Sequence, residues 1–372
     1  MDPVSITNLA LSLISSNIFS SVSEIIKRIG AKSIGLTQII ADLRKHYKAE
    51  RLVLVLGAGV SMSHGIPNWN TLLQKLIIAN ITSSADEEKK ANSALIAKVI
   101  SEVFSPNPLI SARYLSSFYQ KESKDDPLAF TKAVRNILYE DLDPEIETDL
   151  IKEIREFCVA VGKSPNLDCL ITYNYDDLLE SSIQKLDLKI PFRSVYKTGI
   201  NPRDDELAIF HVHGFLPRLA LLDTSNKVTL SEDTYHQQYN DVYSWSNLVQ
   251  INKFKDANCL FIGVSFTDPN LRRLLDIARI QRGDNKIHHY CFRKKYDIDD
   301  VKKAIANIFK KKRSKQKLSP EMLDENAKSL IEVMENYETK DFESFGVQVI
   351  WIKEFSEIPE ILRQIRELDS RE

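Results

Sequence analysis

Residues suited to chemistry recur in short clusters along the chain, each just after a run of apolar residues. Gly57, Ala58, Gly59 and Ser61 follow Leu52 to Leu56, and Asn174 and Asp176 follow Asp168 to Tyr173. His213 and Gly214 follow Leu207 to Val212, and Gly263, Ser265 and Asp268 follow Asn258 to Ile262. Glycines let a backbone turn tightly and approach a ligand closely. An asparagine side chain offers both a donor and an acceptor, and histidine, whose ordinary pKa is about 6.5, exchanges a proton near neutral pH. Positioning a reacting centre and accepting its proton are the two jobs such a set can do.

The apolar runs must hold these groups. Strands are expected at 52–56, 168–173, 207–212, 258–262, 286–292 and 347–352, alternating with helical patterns. That alternation predicts an α/β fold, a Rossmann-like, mainly parallel six-stranded sheet with helices on both faces. Ligands of such sheets bind beyond the carboxyl ends of the strands, which is where all the clusters fall. After the first glycine turn and Pro67, Asn68 is the expected N-cap of a helix through Leu72, Leu73, Leu76 and Ile77. Strand, glycine turn and helix follow in the order of a dinucleotide site. The hydride-transfer fingerprint is nevertheless broken: Ser61 and Met62 stand where a third glycine would be sought, and Lys75 to Ile81 holds no acid for a ribose hydroxyl.

At 372 residues the chain exceeds the usual single-core size of about 250 to 300. It is read as an N-terminal helical segment, 1–48, and a main domain, 49–372, with a helical insertion at about 80–165 covering one side of the crevice. In the N-terminal segment Ile6, Leu9, Leu13, Val22, Ile25, Ile26 and Ile29 form one apolar stripe, and Ile39, Ile40, Leu43 and Tyr47 a second. It reads either as a cap on the main domain or as a surface for a partner or another copy.

Lys and Arg number 50 against 52 Asp and Glu, which gives no general case for nucleic acid or an anionic membrane. The basic run Lys310 to Lys317 has no interleaved aromatic residues and reads as a solvated loop, so direct nucleic-acid binding is not expected. Cys158, Cys169, Cys259 and Cys291 form no C-x-x-C pair, which points to buried thiols in a reducing cytoplasm. Met1 to Gly30 has no basic leader region and no apolar run of spanning length, so the chain is read as cytoplasmic, without a membrane partner.

Taken in order, Gly57-Ala-Gly-Val-Ser61 with Gly65-Ile-Pro67, Thr172-Tyr-Asn-Tyr-Asp176, His213-Gly214, and Gly263-Val-Ser265 with Asp268 resemble the motifs of the Sir2 superfamily. The resemblance is specifically to the Sir2-like NAD-consuming domains of prokaryotic anti-phage defence proteins, and it covers residues 50 to 352. It implies that Gly57, Ala58 and Gly59 cradle the pyrophosphate of NAD+, that Ser61 and Pro67 shape the nicotinamide side, and that Gly263 and Ser265 face the adenosine ribose. It further implies that Asn174 lies beside the nicotinamide ribose with Asp176 as its partnering acid, and that His213 is the catalytic histidine. His211, two positions earlier and on the same sheet face, is a second candidate.

Sirtuin deacylases carry a four-cysteine zinc module after the His-Gly, whereas only Cys259 lies between His213 and Gly263 here. The expected reaction is therefore hydrolysis of NAD+ to nicotinamide and ADP-ribose without zinc, as an effector that depletes NAD+ in abortive infection. The alternatives are a deacylase or ADP-ribosyltransferase on the same fold, and a non-catalytic module sensing NAD+ or ADP-ribose. Because such a hydrolase is toxic if always on, the reading includes a homo-oligomer and a separately encoded activator. By resemblance that activator is a HerA-like ATPase or a purine nucleotide pyrophosphatase-like protein.

Overall fold

The computed structural model describes residues 34–82, 99, 107–123, 125–159, 167–186, 190–283, 288–311 and 319–367. The N-terminal stripe at 4–29, most of the Ala94 to Val103 pattern and most of the Lys310 to Lys317 run lie outside them. In chain order the elements begin α1 (Leu36–Lys48), β1 (Leu52–Leu56), α2 (Trp69–Thr82), α3 (Pro108–Glu122), α4 (Ala129–Leu138) and α5 (Asp149–Phe157). They continue β2 (Cys169–Thr172), α6 (Leu178–Gln184), β3 (Phe192–Val195), β4 (Leu207–His211), α7 (Glu232–Asn240), α8 (Trp245–Asp256), β5 (Asn258–Ile262) and α9 (Pro269–Arg282). The last are β6 (His289–Lys294), α10 (Ile298–Lys311), α11 (Pro320–Ser344), β7 (Val347–Ile352) and α12 (Ile358–Arg366).

The strands form one sheet in the order β3-β4-β2-β1-β5-β6-β7, and each pair from β3 to β6 is parallel. The sheet thus has seven strands where the sequence predicts six. The additional strand, β3, escapes a pattern search because it has four residues, two of them Arg193 and Ser194, and sits at the sheet edge with only Val195 fully buried. The central strand β1 shows the opposite case: its five side chains are at most 3 % exposed, as two-sided burial requires.

The chain divides into two compact units. In the smaller, whose described residues are 34–39, 292–311 and 319–357, Ile305 and Phe309 of α10 pack on Ala327 of α11, and Arg293 pairs with Glu338 at 3.0 Å. The larger, which takes in the described residues between 40 and 291 and those of 358–367, contains all the candidate site residues.

In the larger unit the strand register decides which loops meet. Leu56 of β1 lies opposite Thr172 of β2 and Ile262 of β5, and Thr172 lies opposite His211 of β4. Gly57, Tyr173, Val212 and Gly263 therefore leave the sheet side by side. From β1 the chain proceeds first toward β2 and β4 and later to β5 on the other flank, so β1 and β5 border the topological switch point.

A second apolar cluster joins helices α2, α3 and α4. Leu72, Leu73 and Leu76 of α2 pack with Leu115 of α3 and Val134 and Leu138 of α4. Leu216, Val228 and Leu230, from the segment after β4, join the same cluster.

Candidate active site

The glycine turn after β1 is a single 3₁₀ turn, Ala58–Val60, followed by another at Met62–His64. Its glycines are required by the neighbouring turn after β5. Gly59 N–H donates to Gly263 O at 3.0 Å, and Gly57 N–H to Ile262 O at 3.0 Å. A Cβ on Gly57 would stand 2.6 Å from Gly263 O. Gly263, at φ +69°, would place its own Cβ 2.7 Å from Val60 N.

The N–H groups of Val60 and Ser61 are also engaged, on Gly57 O and Ala58 O. A bound pyrophosphate would thus meet fewer free backbone donors than the sequence pattern suggests, and the side chains around the turn gain importance. Asn68 caps α2 as expected, accepting from Thr71 N–H at 3.0 Å, and Pro67 is half-buried just before it.

Asn174 reaches across from β2 to this turn. Its Nδ2 donates to Gly57 O at 3.1 Å and to Ser61 Oγ at 3.0 Å. Both amide hydrogens are then engaged, and Oδ1 is left as an acceptor for a ligand hydroxyl or water. Ser61, 1 % exposed, also stands against Asp176. Asp176 Oδ1 accepts from Leu178 N–H at 3.2 Å, which caps the start of α6, while Oδ2 is buried with no hydrogen-bond partner among the described residues. An orphaned buried acceptor is costly in itself and suits a ligand donor such as a carboxamide N–H₂.

Burial raises the Asp176 pKa to about 6, against the opposing pull of the Leu178 N–H and Ser61. A carboxyl whose folded pKa exceeds its ordinary 3.8 binds more protons folded than unfolded between those values. Stability therefore falls as pH rises from about 4 to about 6 and stays lower above that. Asp176→Asn is expected to stabilise the protein at pH 7, by up to about 3 kcal/mol, with little gain at pH 4. Thermal unfolding of both proteins at the two pH values checks this, and an equal shift at both would contradict it.

His213, at the end of the β4 segment, has Nε2 3.1 Å from Asp268 Oδ2. This is ion-pair distance, and the Asp268 carboxylate is the charge that faces Nε2. Tyr173 and Tyr235 meet the imidazole edge-on, with centroids 4.7 and 5.7 Å away. Asp268 is itself fixed, because Oδ1 accepts the N–H groups of Asn270 and Leu271 at the start of α9, at 2.7 and 3.2 Å. Burial pushes its carboxyl pKa up, but His213 and these N–H groups outweigh it and hold the carboxyl below its ordinary value. An ionised Asp268 therefore faces His213, ready to stabilise an imidazolium.

Gly214, at φ +108°, then turns the chain so that Leu216 N–H donates to Tyr175 O and Thr229 N–H to His213 O, at 2.8 and 2.7 Å. Ser265 is exposed and bonds Thr267 through their hydroxyls at 2.8 Å.

The structure brings Gly57, Gly59, Ser61, Asn174 and Gly263 into one bonded cluster, with Asp176 beside Ser61, and sets His213 against Asp268 and Tyr173. His211 is not in the crevice: it is 1 % exposed and held between Glu180 and the Asn174 carbonyl. Sequence reading assigned no role to Asp268, Tyr173, Tyr235 or Glu180. For Asp268 the local signals, its place after Gly263-Val-Ser265 and the following Pro269, say nothing about His213.

Among the described residues no group of three or more His, Cys, Asp or Glu is placed to hold a metal ion, and no helix is long and apolar enough to cross a membrane. All four cysteines are buried and free.

The parallel sheet with polar strand ends at its switch point is of the nucleotide-binding α/β class, and residues 168–316 match a family model described as a SIR2-like domain. Among curated relatives, the NAD(+) hydrolase ThsA of Enterococcus faecium is 24 % identical over 312 residues, 83 % of this chain and 54 % of the relative. The NAD(+) hydrolase ThsA of Bacillus cereus (strain MSX-D12) is 23 % identical over 334 residues, 88 % of this chain and 56 % of the relative. That of Cytobacillus dafuensis is 23 % identical over 335 residues, with 88 % and 55 % covered. The chain spans about half the length of the curated relatives it matches.

Proposed function

We propose that this chain hydrolyses the nicotinamide glycosidic bond of NAD+. The observation that carries the reading is that the strand ends bearing the Asn174–Gly57 bond and the His213–Asp268 pair lie side by side at one sheet edge, with Asp176 Oδ2 unpartnered among the described residues. The names of the relatives support it, since each is an NAD(+) hydrolase.

In this reading the glycine turns receive the pyrophosphate, Asp176 and Ser61 receive the carboxamide, and the hydroxyls of Ser265 and Thr267 lie toward the adenosine ribose. Asn174 Oδ1 accepts a hydrogen bond from the nicotinamide ribose or the attacking water. The C1′–N bond breaks with its electron pair passing to the pyridinium nitrogen, so the leaving group is neutral nicotinamide. Water forms the new C1′–O bond, and its proton passes to His213. With Nε2 of His213 turned to Asp268, Nδ1 is the nitrogen that would take that proton, and Asp268 would offset the resulting charge.

Depletion of NAD+ in anti-phage defence, and control by self-assembly and a separately encoded partner, belong to the same proposal. Ile110, Tyr114 and Phe118 stand exposed at i, i+4 and i+8 on α3, an apolar stripe suited to an assembly contact. Hydrolysis and group transfer separate in one experiment. With NAD+ labelled on its adenylate, the label is expected in free ADP-ribose; label retained on protein or nucleic acid would replace hydrolysis by transfer.

A further inference from the structure

His211 and Glu180 form a buried pair that the reaction outlined above leaves without a task. His211 is 1 % and Glu180 5 % exposed, and His211 Nε2 lies 2.6 Å from Glu180 Oε1. The same oxygen accepts from Ser194 Oγ of β3 at 2.8 Å. On the other side of the ring, Nδ1 lies 3.3 Å from the Asn174 carbonyl oxygen. Carboxylate and carbonyl are both acceptors, so the geometry suits a ring that donates from both nitrogens. Phe215 covers the imidazole at 4.1 Å between centroids.

Glu180 fits this arrangement. Burial alone would raise its pKa, yet the charge and hydrogen bond of His211 bring it below the usual carboxylate range. A charged pair sealed from water costs desolvation and is poor evidence of stabilisation by itself. What it does here is fix a carbonyl. Asn174 is held at its backbone N–H by Thr172 Oγ1 at 3.1 Å and at its carbonyl by His211, while its Nδ2 is tied to Gly57 and Ser61. With main chain and amide nitrogen both pinned, Oδ1 has one direction.

We propose that the His211–Glu180 pair is a positioning device that fixes the Asn174 carbonyl and thereby aims Asn174 Oδ1 at the reacting ribose. This rests on the NAD+ cleavage reading. His211 touches no substrate and acts through Asn174.

The test is a double-mutant cycle on the full chain with NAD+. His211→Gln is expected to lower kcat by about tenfold or more while KM changes less than about threefold, since the glycine turns are untouched. In an Asn174→Ala background the same substitution is expected to cost less than about twofold more, because the group it aims is gone. Equal losses in both backgrounds, or a change in KM alone, would overturn the proposal. If His211→Gln strands the Glu180 charge and does not fold, the pair His211→Gln with Glu180→Gln keeps the site uncharged and is carried through the same cycle.

A second readout needs no activity. Long-range ¹H–¹⁵N spectra of the wild-type imidazoles at pH 7 are expected to show both His211 nitrogens protonated. A neutral ring with one bare nitrogen would overturn the proposal even if NAD+ is cleaved, whereas two protonated nitrogens in a chain that cleaves no NAD+ would sink the functional reading alone.

Discussion

Replacing His213 by Ala is expected to lower NAD+ turnover by about 100-fold to 10,000-fold, the usual range for a general base, with NAD+ affinity near that of the wild type. The expectation follows from its surroundings. Nε2 faces Asp268 at 3.1 Å, Tyr173 and Tyr235 fix the ring plane, and Gly214 turns the chain immediately afterwards. Only the proton acceptor is lost, because the glycine turns and Asn174 have their own bonds to each other.

Asp268→Asn separates two tasks of its carboxylate. Asn is also a good helix cap, so α9 keeps its N-terminal bonds, while the charge that stabilises an imidazolium disappears. Turnover is expected to fall by at least about tenfold with the melting temperature little changed. Steady-state kinetics on both variants check this, and full turnover in His213→Ala would remove His213 from the chemistry.

Gly263→Ala is the second large effect, and it acts through backbone. Gly263 has φ +69°, and its Cβ would lie 2.7 Å from Val60 N and 2.9 Å from Gly59 C. Neither contact is the yielding end of a side chain, so the turn after β1 must move. Backbone strain of this kind costs about 1–3 kcal/mol, and the shift also disturbs Gly57 O, which holds Asn174. Stability is expected to fall by that order and NAD+ cleavage by about tenfold or more.

Gly283→Ala is the control. Gly283 has φ +58°, yet a Cβ there meets no described atom within 4 Å. Its stability should fall while cleavage is kept. Denaturant unfolding together with kinetics on the two variants separates strain from crowding; equal activity in both would show that the paired turns do not set the site.

The parts legible in the sequence were those that local pattern dictates. Leu52 to Leu56 has no polar residue and cannot be other than a doubly buried element, and Asn68 sits one turn before an apolar helical stripe. The strand ends could be named because the doubly wound arrangement places every one of them at the same sheet edge. What was not legible depends on register and side-chain direction.

In sequence His213 is preferred to His211 only for the glycine that follows it. His211 is sealed against Glu180 and His213 stands against Asp268. Asp268 is remote from His213 in sequence and meets it only because β4, β2, β1 and β5 are neighbours. The glycines at 57 and 59 read as room for a ligand, whereas their immediate necessity is the close approach of Gly263. For Asn174 the sequence offers a donor and an acceptor; the bonds to Gly57 and Ser61 leave only the acceptor.

The central claim is that these strand ends form one site that cleaves NAD+ between nicotinamide and ribose. Its most direct test is the rate of nicotinamide release from NAD+ by the full chain, with and without its natural partner and trigger, compared with Asn174→Ala under the same conditions. Nicotinamide and ADP-ribose should appear in equal amounts with the wild type and fall at least about 100-fold with the variant. NAD+ that binds the wild type and stays intact under every condition would contradict the account.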